Sequence, residues 1–208
     1  MAGPSPLLAF VAAVVVLVLV PGPNTMVILA YSLGGRRAVG LATVAGVETG
    51  TIVHTLAAAL GLSALLAASD VAFAAVRLLG AVYLLVLGAR CWRETPELSL
   101  AGPSSLGPAL AYRRALVTNV LNPKVALFFL GFLPQFADPA RGHLVLQFLS
   151  LGAIVSLVGL VFGSTLALAA TAVTGWLRGH PGFLRWQGRL MGTVFIGLAV
   201  RLALSRRR

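Results

Sequence analysis

The chain has 208 residues, of which 59% are hydrophobic and 10% are charged, and its formal net charge is +11. A soluble globular chain carries about 25% charged residues, so this composition leaves too few charges to cover a water-facing surface. It excludes a soluble enzyme, a disordered chain and a secreted mini-protein, and it predicts an integral membrane protein. The single cysteine, Cys91, allows no internal disulfide and no zinc site built on cysteine pairs.

Six apolar stretches follow one another along the chain. A transmembrane helix needs about 20 mainly apolar residues, and most of the stretches reach that length. The sixth is short, and Arg201 interrupts it. We therefore predict an all-α integral membrane protein with six transmembrane helices. The stretches lie within residues 6–33, 38–68, 71–89, 115–136, 144–173 and 190–204.

The positive charge lies mainly between the apolar stretches, where arginines orient membrane helices. We therefore expect the lipid bilayer, and no nucleic acid, as a partner. Because the first, third and fifth connections hold most of the arginines, we predict that these three connections are cytoplasmic. The basic tail at 206–208 argues for the opposite side at the end of the chain. The arginines of the three connections are residues 36 and 37, then 90, 93, 113 and 114, then 178, 185 and 189.

A stretch rich in proline and glycine, residues 96–108, reads as a linker within a single domain over residues 1–208. It separates two halves, roughly 1–95 and 109–208, of three apolar stretches each. Halves with an odd number of spans would be inverted relative to each other. Pro23 and Pro123 stand 100 residues apart, each beside an asparagine. We therefore predict a 3+3 inverted repeat whose first and fourth helices are broken by proline.

The first break falls at Pro21-Gly22-Pro23-Asn24-Thr25. Proline removes a backbone donor and clashes with the preceding turn, so an uninterrupted helix is not expected here. In lipid, broken backbone is tolerated only inside the protein or beside a water-filled cavity. The half-helix that starts near Asn24 would direct a partly positive end at an anion such as a carboxylate. The alternative is a packing kink without a binding role.

The second break falls at Asn122-Pro123-Lys124, in the fourth stretch. Lys124 is the only lysine, and a lysine near mid-membrane costs about 2.5–3.5 kcal/mol on insertion scales unless it is paired or hydrated. Asn119 and Asn122 are three residues apart and can share a helix face. These side chains are candidates for substrate binding. The alternative is that they form an inter-helix hydrogen-bond clamp.

Glu48 is the one acid deep within an apolar stretch, and it shares a helical stripe with Thr51 and Thr55. An intramembrane acid is a candidate for binding an ammonium group or a coupling proton. The alternative is a structural ion pair with Lys124 or Arg77. His54 lies nearby, and we expect a hydrogen-bonded interior histidine there and no metal site.

Taken together, these segments resemble the LysE/RhtB family of amino-acid exporters, the lysine exporter and homoserine–threonine efflux type translocators. The Asn-Pro-Lys motif that runs into Phe-Leu-Pro-Gln-Phe is the most specific part. By position, the resemblance assigns Pro21–Asn24 and Asn122–Lys124 to the family motifs. It implies a six-helix, multi-pass exporter of the inner membrane driven by the proton-motive force. The matching segments are PGPNTMVI at 21–28, GRRAVGLATVAGVETGTIVH at 35–54, RLLGAVYLLVLG at 77–88 and RRALVTNVLNPKVALFFLGFLPQF at 113–136.

From the residues and the resemblance we predict a proton-coupled efflux transporter for small, neutral amino acids or their derivatives, working by alternating access. Glu48 would exchange the substrate ammonium group for a proton. The alternatives are an exporter of basic amino acids and a passive small-solute channel. A membrane-embedded enzyme is not expected, because no nucleophile–base pair or metal set is evident. We expect no cofactor and leave a homo-oligomer open. The predicted substrate-binding residues are Pro21, Gly22, Pro23, Asn24, Thr25, Glu48, Asn119, Asn122, Pro123 and Lys124.

Overall fold

The computed structural model describes residues 4–19, 22–33, 37–64, 70–93, 106–138 and 141–204, and every regular element in these ranges is helical. This confirms the prediction of an all-α chain. Two helices each continue into a π-helical turn, over Ala58–Leu62 and Phe128–Phe132, and the second ends in a 3₁₀ turn over Leu133–Phe136. The helices are α1 Pro4–Leu19, α2 Pro23–Ser32, α3 Arg37–Ala57, α4 Asp70–Arg93, α5 Pro108–Val120, α6 Pro123–Leu127, α7 Leu144–Leu168, α8 Ala170–Gly179 and α9 Pro181–Leu204.

Both predicted helix breaks are present. The axes of α1 and α2 differ by 54° across the first break, and those of α5 and the Pro123–Phe136 segment differ by 46° across the second. Two helical segments, Arg37–Leu62 and Leu144–Leu168, are long and apolar enough to cross a membrane, and each bent pair would add one span. The described residues therefore carry two to four candidate spans, as expected for a multi-pass membrane protein.

The last part of the chain corrects two expectations. The final helix begins at Pro181, nine residues before the apolar stretch that predicted it, so Arg185 and Arg189 lie on a helix and not in a connection. The arginines lower the mean hydropathy of residues 181–189, so hydropathy alone does not mark them as part of the helix. In the structure the Arg189 guanidinium lies 6.0 Å from the centroid of the Trp92 ring, a cation–π distance. Residue 178 likewise lies within a helix, because the fifth stretch divides at Ala169 into α7 and α8. Most of the predicted linker, 96–105, lies outside the described residues.

Helix α3 is the centre of the packing, because it contacts α5 along one side and α7 along another. Glycines allow the close approach to α5. A Cβ atom on Gly46 would collide with the Tyr112 carbonyl, and one on Gly50 would lie 2.7 Å from the Asn119 side chain. Small residues at such an interface let membrane helices pack closely.

The phenylalanines of the fourth stretch form a buried core. Phe128, Phe132 and Phe136 pack in succession, with ring centroids 5.1 and 4.9 Å apart. Phe10 of α1 joins them from the other side, 5.0 Å from Phe136. This cluster ties α1 to the segment after the second break, so the two broken helices are packed together.

Replacing Gly46 by alanine should lower the thermal unfolding midpoint of the detergent-purified protein by several degrees. The added methyl group has no room against the backbone of α5, and overpacking of this kind costs about 1–3 kcal/mol. The matched control is Gly61→Ala, because a Cβ atom there meets nothing within 4 Å. Equal midpoints for the two variants would contradict the close α3–α5 contact.

Candidate functional site

The site is built on backbone carbonyls that proline leaves without their helical partners. In an α-helix the N–H of each residue bonds the carbonyl four residues earlier, and proline has no N–H. Pro21 and Pro23 therefore deprive the carbonyls of Leu17 and Leu19 at the end of α1. Pro21 itself lies outside the described residues, whereas Pro23 is the first residue of α2.

Two side chains from distant helices supply the missing donors. Lys124 donates from Nζ to the Leu17 carbonyl at 3.1 Å, and Gln187 of α9 donates from Nε2 to the Leu19 carbonyl. An unsatisfied backbone group inside a membrane costs several kcal/mol. These two bonds therefore stabilise the open end of α1 and fix Lys124 beside the first break.

The second break repeats this arrangement. Pro123 deprives the carbonyl of Asn119, which instead accepts the N–H of Asn122 at 2.9 Å and Nε2 of His54 at 3.1 Å. A carbonyl oxygen can only accept, so Nε2 of His54 carries the proton. This confirms His54 as a hydrogen-bonded interior histidine. Its ring also stacks on Phe129, with centroids 5.7 Å apart.

Asn122 connects the two breaks. Its Oδ1 accepts the backbone N–H of Lys124 at 3.0 Å and thereby caps α6. Its Nδ2 donates to Oδ1 of Asn24, on α2, at 3.1 Å. At Asn122 the structure therefore shows the hydrogen-bond clamp that was the alternative to substrate binding, and this clamp holds the starts of the two half-helices against each other.

A polar cavity of about 60 Å³ lies beside the joined breaks. At about 30 Å³ for each water molecule in the liquid, it has room for about two waters. Helices α2, α3, α5, α6 and α7 and the end of α1 surround it. The polar side chains that line it are Asn24, Thr25, Glu48, Thr51, Asn119 and Lys124, and the other lining residues are Leu17, Val18, Ile28, Val47, Val125, Val155, Gly159, Phe162 and Gly163.

Two side chains that line the cavity carry buried acceptors that lack donors. Within the described residues, Oε2 of Glu48 and Oδ1 of Asn119 are buried without a hydrogen-bond partner. Nδ2 of Asn119 donates to Oγ1 of Thr51 at 3.3 Å, which leaves Oδ1 of the same amide unpaired. Each unsatisfied polar group of this kind costs about 1–3 kcal/mol. A ligand that donates hydrogen bonds would recover this cost.

Glu48 is held close to α7 by a glycine. A Cβ atom on Gly159 would lie 2.5 Å from Oε1 of Glu48, so a larger residue there would displace the carboxylate. Within the described residues, Glu48 and Lys124 do not form an ion pair of 4 Å or less. The ion pair found there at that distance joins Arg141 to Asp138. Glu48 and Lys124 therefore line one cavity without forming an ion pair with each other. Arg77 was the other candidate for an ion pair with Glu48, and its side chain is not among those that the structure describes.

The structure brings together half of the predicted binding residues. Asn24, Thr25, Glu48, Asn119 and Lys124 line the cavity. Four of the other five predicted residues lie at the two helix breaks beside the cavity, and the fifth, Pro21, is not among the described residues. Gly22 caps α2 and faces Lys124, Asn122 joins the breaks, and Pro23 and Pro123 are exposed first residues of half-helices.

Sequence reasoning missed two contributors to the site, Gln187 and Phe162. Gln187 could have been found by asking which side chains donate to the carbonyls that each proline leaves without a helical N–H. Phe162 gave no such signal, because phenylalanines are common in apolar helices. In the ranges that are described, no group of three or more His, Cys, Asp or Glu residues is placed to hold a metal ion.

Comparison with known proteins gives a consistent result. The family model described as LysE type translocator matches residues 15–206. An uncharacterized membrane protein of Pseudomonas aeruginosa is 34% identical over 200 residues, 93% of each chain. The leucine efflux protein of Salmonella typhimurium is 33% identical over 196 residues, 93% of this chain and 92% of that protein. An uncharacterized membrane protein of Vibrio cholerae is 32% identical over 201 residues, 96% and 97% of the two chains. No solved structure is significantly similar to the chain.

Asn122→Ala should destabilise the protein more than Asn24→Ala. The first change removes both the cap of α6, worth about 1 kcal/mol, and the bond between the breaks, whereas the second removes only that bond. Urea or thermal unfolding in detergent would measure both variants and the double variant. The double variant should lose less stability than the sum of the two single losses, since the shared bond is lost only once. If the two single variants lose equal stability and the double variant loses the sum of the two, the hydrogen bond between Asn24 and Asn122 is contradicted.

Proposed function

The chain belongs to the LysE type translocator family, and from that premise we propose that it exports small, neutral amino acids across the cell membrane. The export is coupled to protons and proceeds by alternating access. The resemblance to a leucine efflux protein over most of both chains supports an amino acid as the cargo. The observation that carries the proposal is the placement of Glu48 and Lys124 on one polar cavity beside two helix breaks.

The carboxylate of the substrate would bind at the start of α2. This helix begins at Pro23, so the backbone N–H groups of Asn24 and Thr25 lie in its first turn and have no helical acceptor. The positive end of the helix dipole favours an anion there. Lys124, held at the end of α1, adds a full positive charge to the same side of the cavity.

The ammonium group of the substrate would bind between Glu48 and Asn119. An ammonium group has three donors and no acceptor, and Oε2 of Glu48 and Oδ1 of Asn119 are buried acceptors without donors in the described residues. A zwitterion would therefore satisfy groups that the empty cavity leaves unpaired. The single lining acid also favours a neutral amino acid over a basic one, which would bring a second cation.

Glu48 would couple transport to protons, because one carboxylate can hold either an ammonium group or a proton. Alternating access would use the two breaks, since each replaces rigid helical bonds by side-chain bonds that can exchange. The hydrogen bond between Asn24 and Asn122 is compatible with two three-helix halves, each with a proline-broken first helix, that meet at these breaks. A six-helix, 3+3 inverted arrangement is part of this proposal.

Efflux from preloaded bacterial cells tests the function directly. Cells that overproduce the protein are loaded with a panel of labelled amino acids, and loss of label is followed with and without an uncoupler. We expect saturable, uncoupler-sensitive export of one or a few neutral amino acids. Export of lysine and arginine alone would replace the neutral substrate by a basic one. Non-saturating loss of label would favour a channel, and no loss from membranes that contain folded protein would overturn amino-acid export.

Glu48→Gln separates coupling from binding. The amide keeps an acceptor for the substrate ammonium group but cannot carry the proton, so uphill, uncoupler-sensitive efflux should fall at least about tenfold. Exchange of labelled for unlabelled substrate across reconstituted vesicles should be affected less. Asp138→Asn is the matched control, because it removes the same charge at the surface, where Asp138 pairs with Arg141. Undiminished, proton-coupled efflux by Glu48→Gln would remove Glu48 from the mechanism.

A further inference from the structure

We propose that a second cavity, next to the polar one, receives the side chain of the exported amino acid, and that the substrate is therefore, among the neutral amino acids, one with an apolar side chain such as that of leucine. This inference rests on the proposed function. The second cavity is called the apolar cavity here. It has a volume of about 480 Å³ and lies among the end of α1 and helices α2, α7, α8 and α9.

The two cavities adjoin. Thr25 of α2 and Phe162 of α7 line both of them. Beyond Thr25, successive residues of α2 line different cavities, Ile28 the polar one and Leu29 the apolar one. Helices α2 and α7 therefore form a wall that the two cavities share, and a substrate that reached from one cavity into the other would pass beside Thr25 and Phe162.

The sizes of the cavities suggest how one amino acid would be divided between them. The polar cavity, at about 60 Å³, has room for about two waters at liquid density, so it can take little more than the ammonium, carboxylate and Cα atoms common to all amino acids. Any longer side chain must leave it. The apolar cavity is within the range of about 300–1,000 Å³ that is typical of small-molecule pockets, and it could hold a branched or aromatic side chain.

The chemistry of the apolar cavity selects against charged side chains. The described residues that line it include leucines, alanines, Met26, Trp176 and Phe183, and none of them is charged. Of its few polar groups, Gln187 already donates to the Leu19 carbonyl. A lysine or arginine side chain would lose its hydration there without gaining a partner, which is costly. An apolar side chain would gain from leaving water.

The test fills the apolar cavity and compares two substrates. Ala172 lines it and is exposed, whereas its neighbour Thr171 is exposed but does not line it. Phenylalanine at position 172 would occupy the space of the substrate side chain. We expect A172F to lower the ratio of leucine to alanine efflux rates at least about tenfold, while T171F leaves that ratio unchanged. An unchanged ratio in A172F would overturn the proposal, and it is the result expected if a lipid chain rather than the substrate side chain occupies the cavity. Equal falls in both variants would also overturn it, because Thr171 does not line the cavity.

A measurement on the unmodified protein covers the case in which A172F does not fold. Straight-chain amino acids from alanine to norleucine would compete against the efflux of a labelled substrate. Each added methylene that becomes buried should improve competition about fourfold, until the cavity is full. A flat series would overturn this inference but leave the exporter intact. If the unmodified protein exports no amino acid at all, the proposed function itself fails.

Discussion

The site depends on one constraint: proline leaves certain backbone carbonyl groups without their helical N–H donors, and other donors must replace them. Two prolines in the first helix and one in the fourth each remove a backbone N–H at a depth where water cannot replace it. Each deprived carbonyl accepts a side-chain donor from elsewhere in the chain, from Lys124, Gln187 or His54. The helix breaks and the helix packing therefore stabilise each other, because neither break is tolerable in lipid unless the helix that carries its donor is in place.

This constraint also explains why a lysine is tolerated among apolar residues. Lys124 donates to a carbonyl that would otherwise be unsatisfied, and the same ammonium group lines the polar cavity. Structure and proposed function thus share one side chain, so removing Lys124 would not separate them. Glu48 differs, because its Oε2 lacks a hydrogen-bond partner within the described residues, and no proline-deprived carbonyl depends on it. The proposed coupling role can therefore be tested at Glu48 with less risk to the fold.

Glycines allow the helices that carry the polar side chains to approach one another closely. On α3, Gly46 and Gly50 bring α5 and its Asn119 against the helix that carries Glu48, and on α7 Gly159 makes room for the Glu48 carboxylate. Phe162, one turn beyond Gly159, lies between the polar cavity and the apolar cavity. A very small residue and a large one, three positions apart on α7, thereby shape two proposed features: the ammonium site at Glu48 and the boundary with the apolar cavity.

The sequence by itself determined the membrane class, the all-α fold and the positions of both breaks, because composition and proline act locally and need no knowledge of neighbours. It also singled out Glu48, Asn24, Asn119 and Lys124, since polar groups in apolar helices are costly enough to stand out. It placed the start of the final helix wrongly, because Arg185 and Arg189 lower the hydropathy of a segment that is nevertheless helical. Only the tertiary structure decided which donor serves which carbonyl, that Asn24 and Asn122 bond each other, and that two cavities adjoin at Phe162. Those facts depend on how helices distant in sequence pack side by side, and pairwise packing leaves no periodic signal along a single chain.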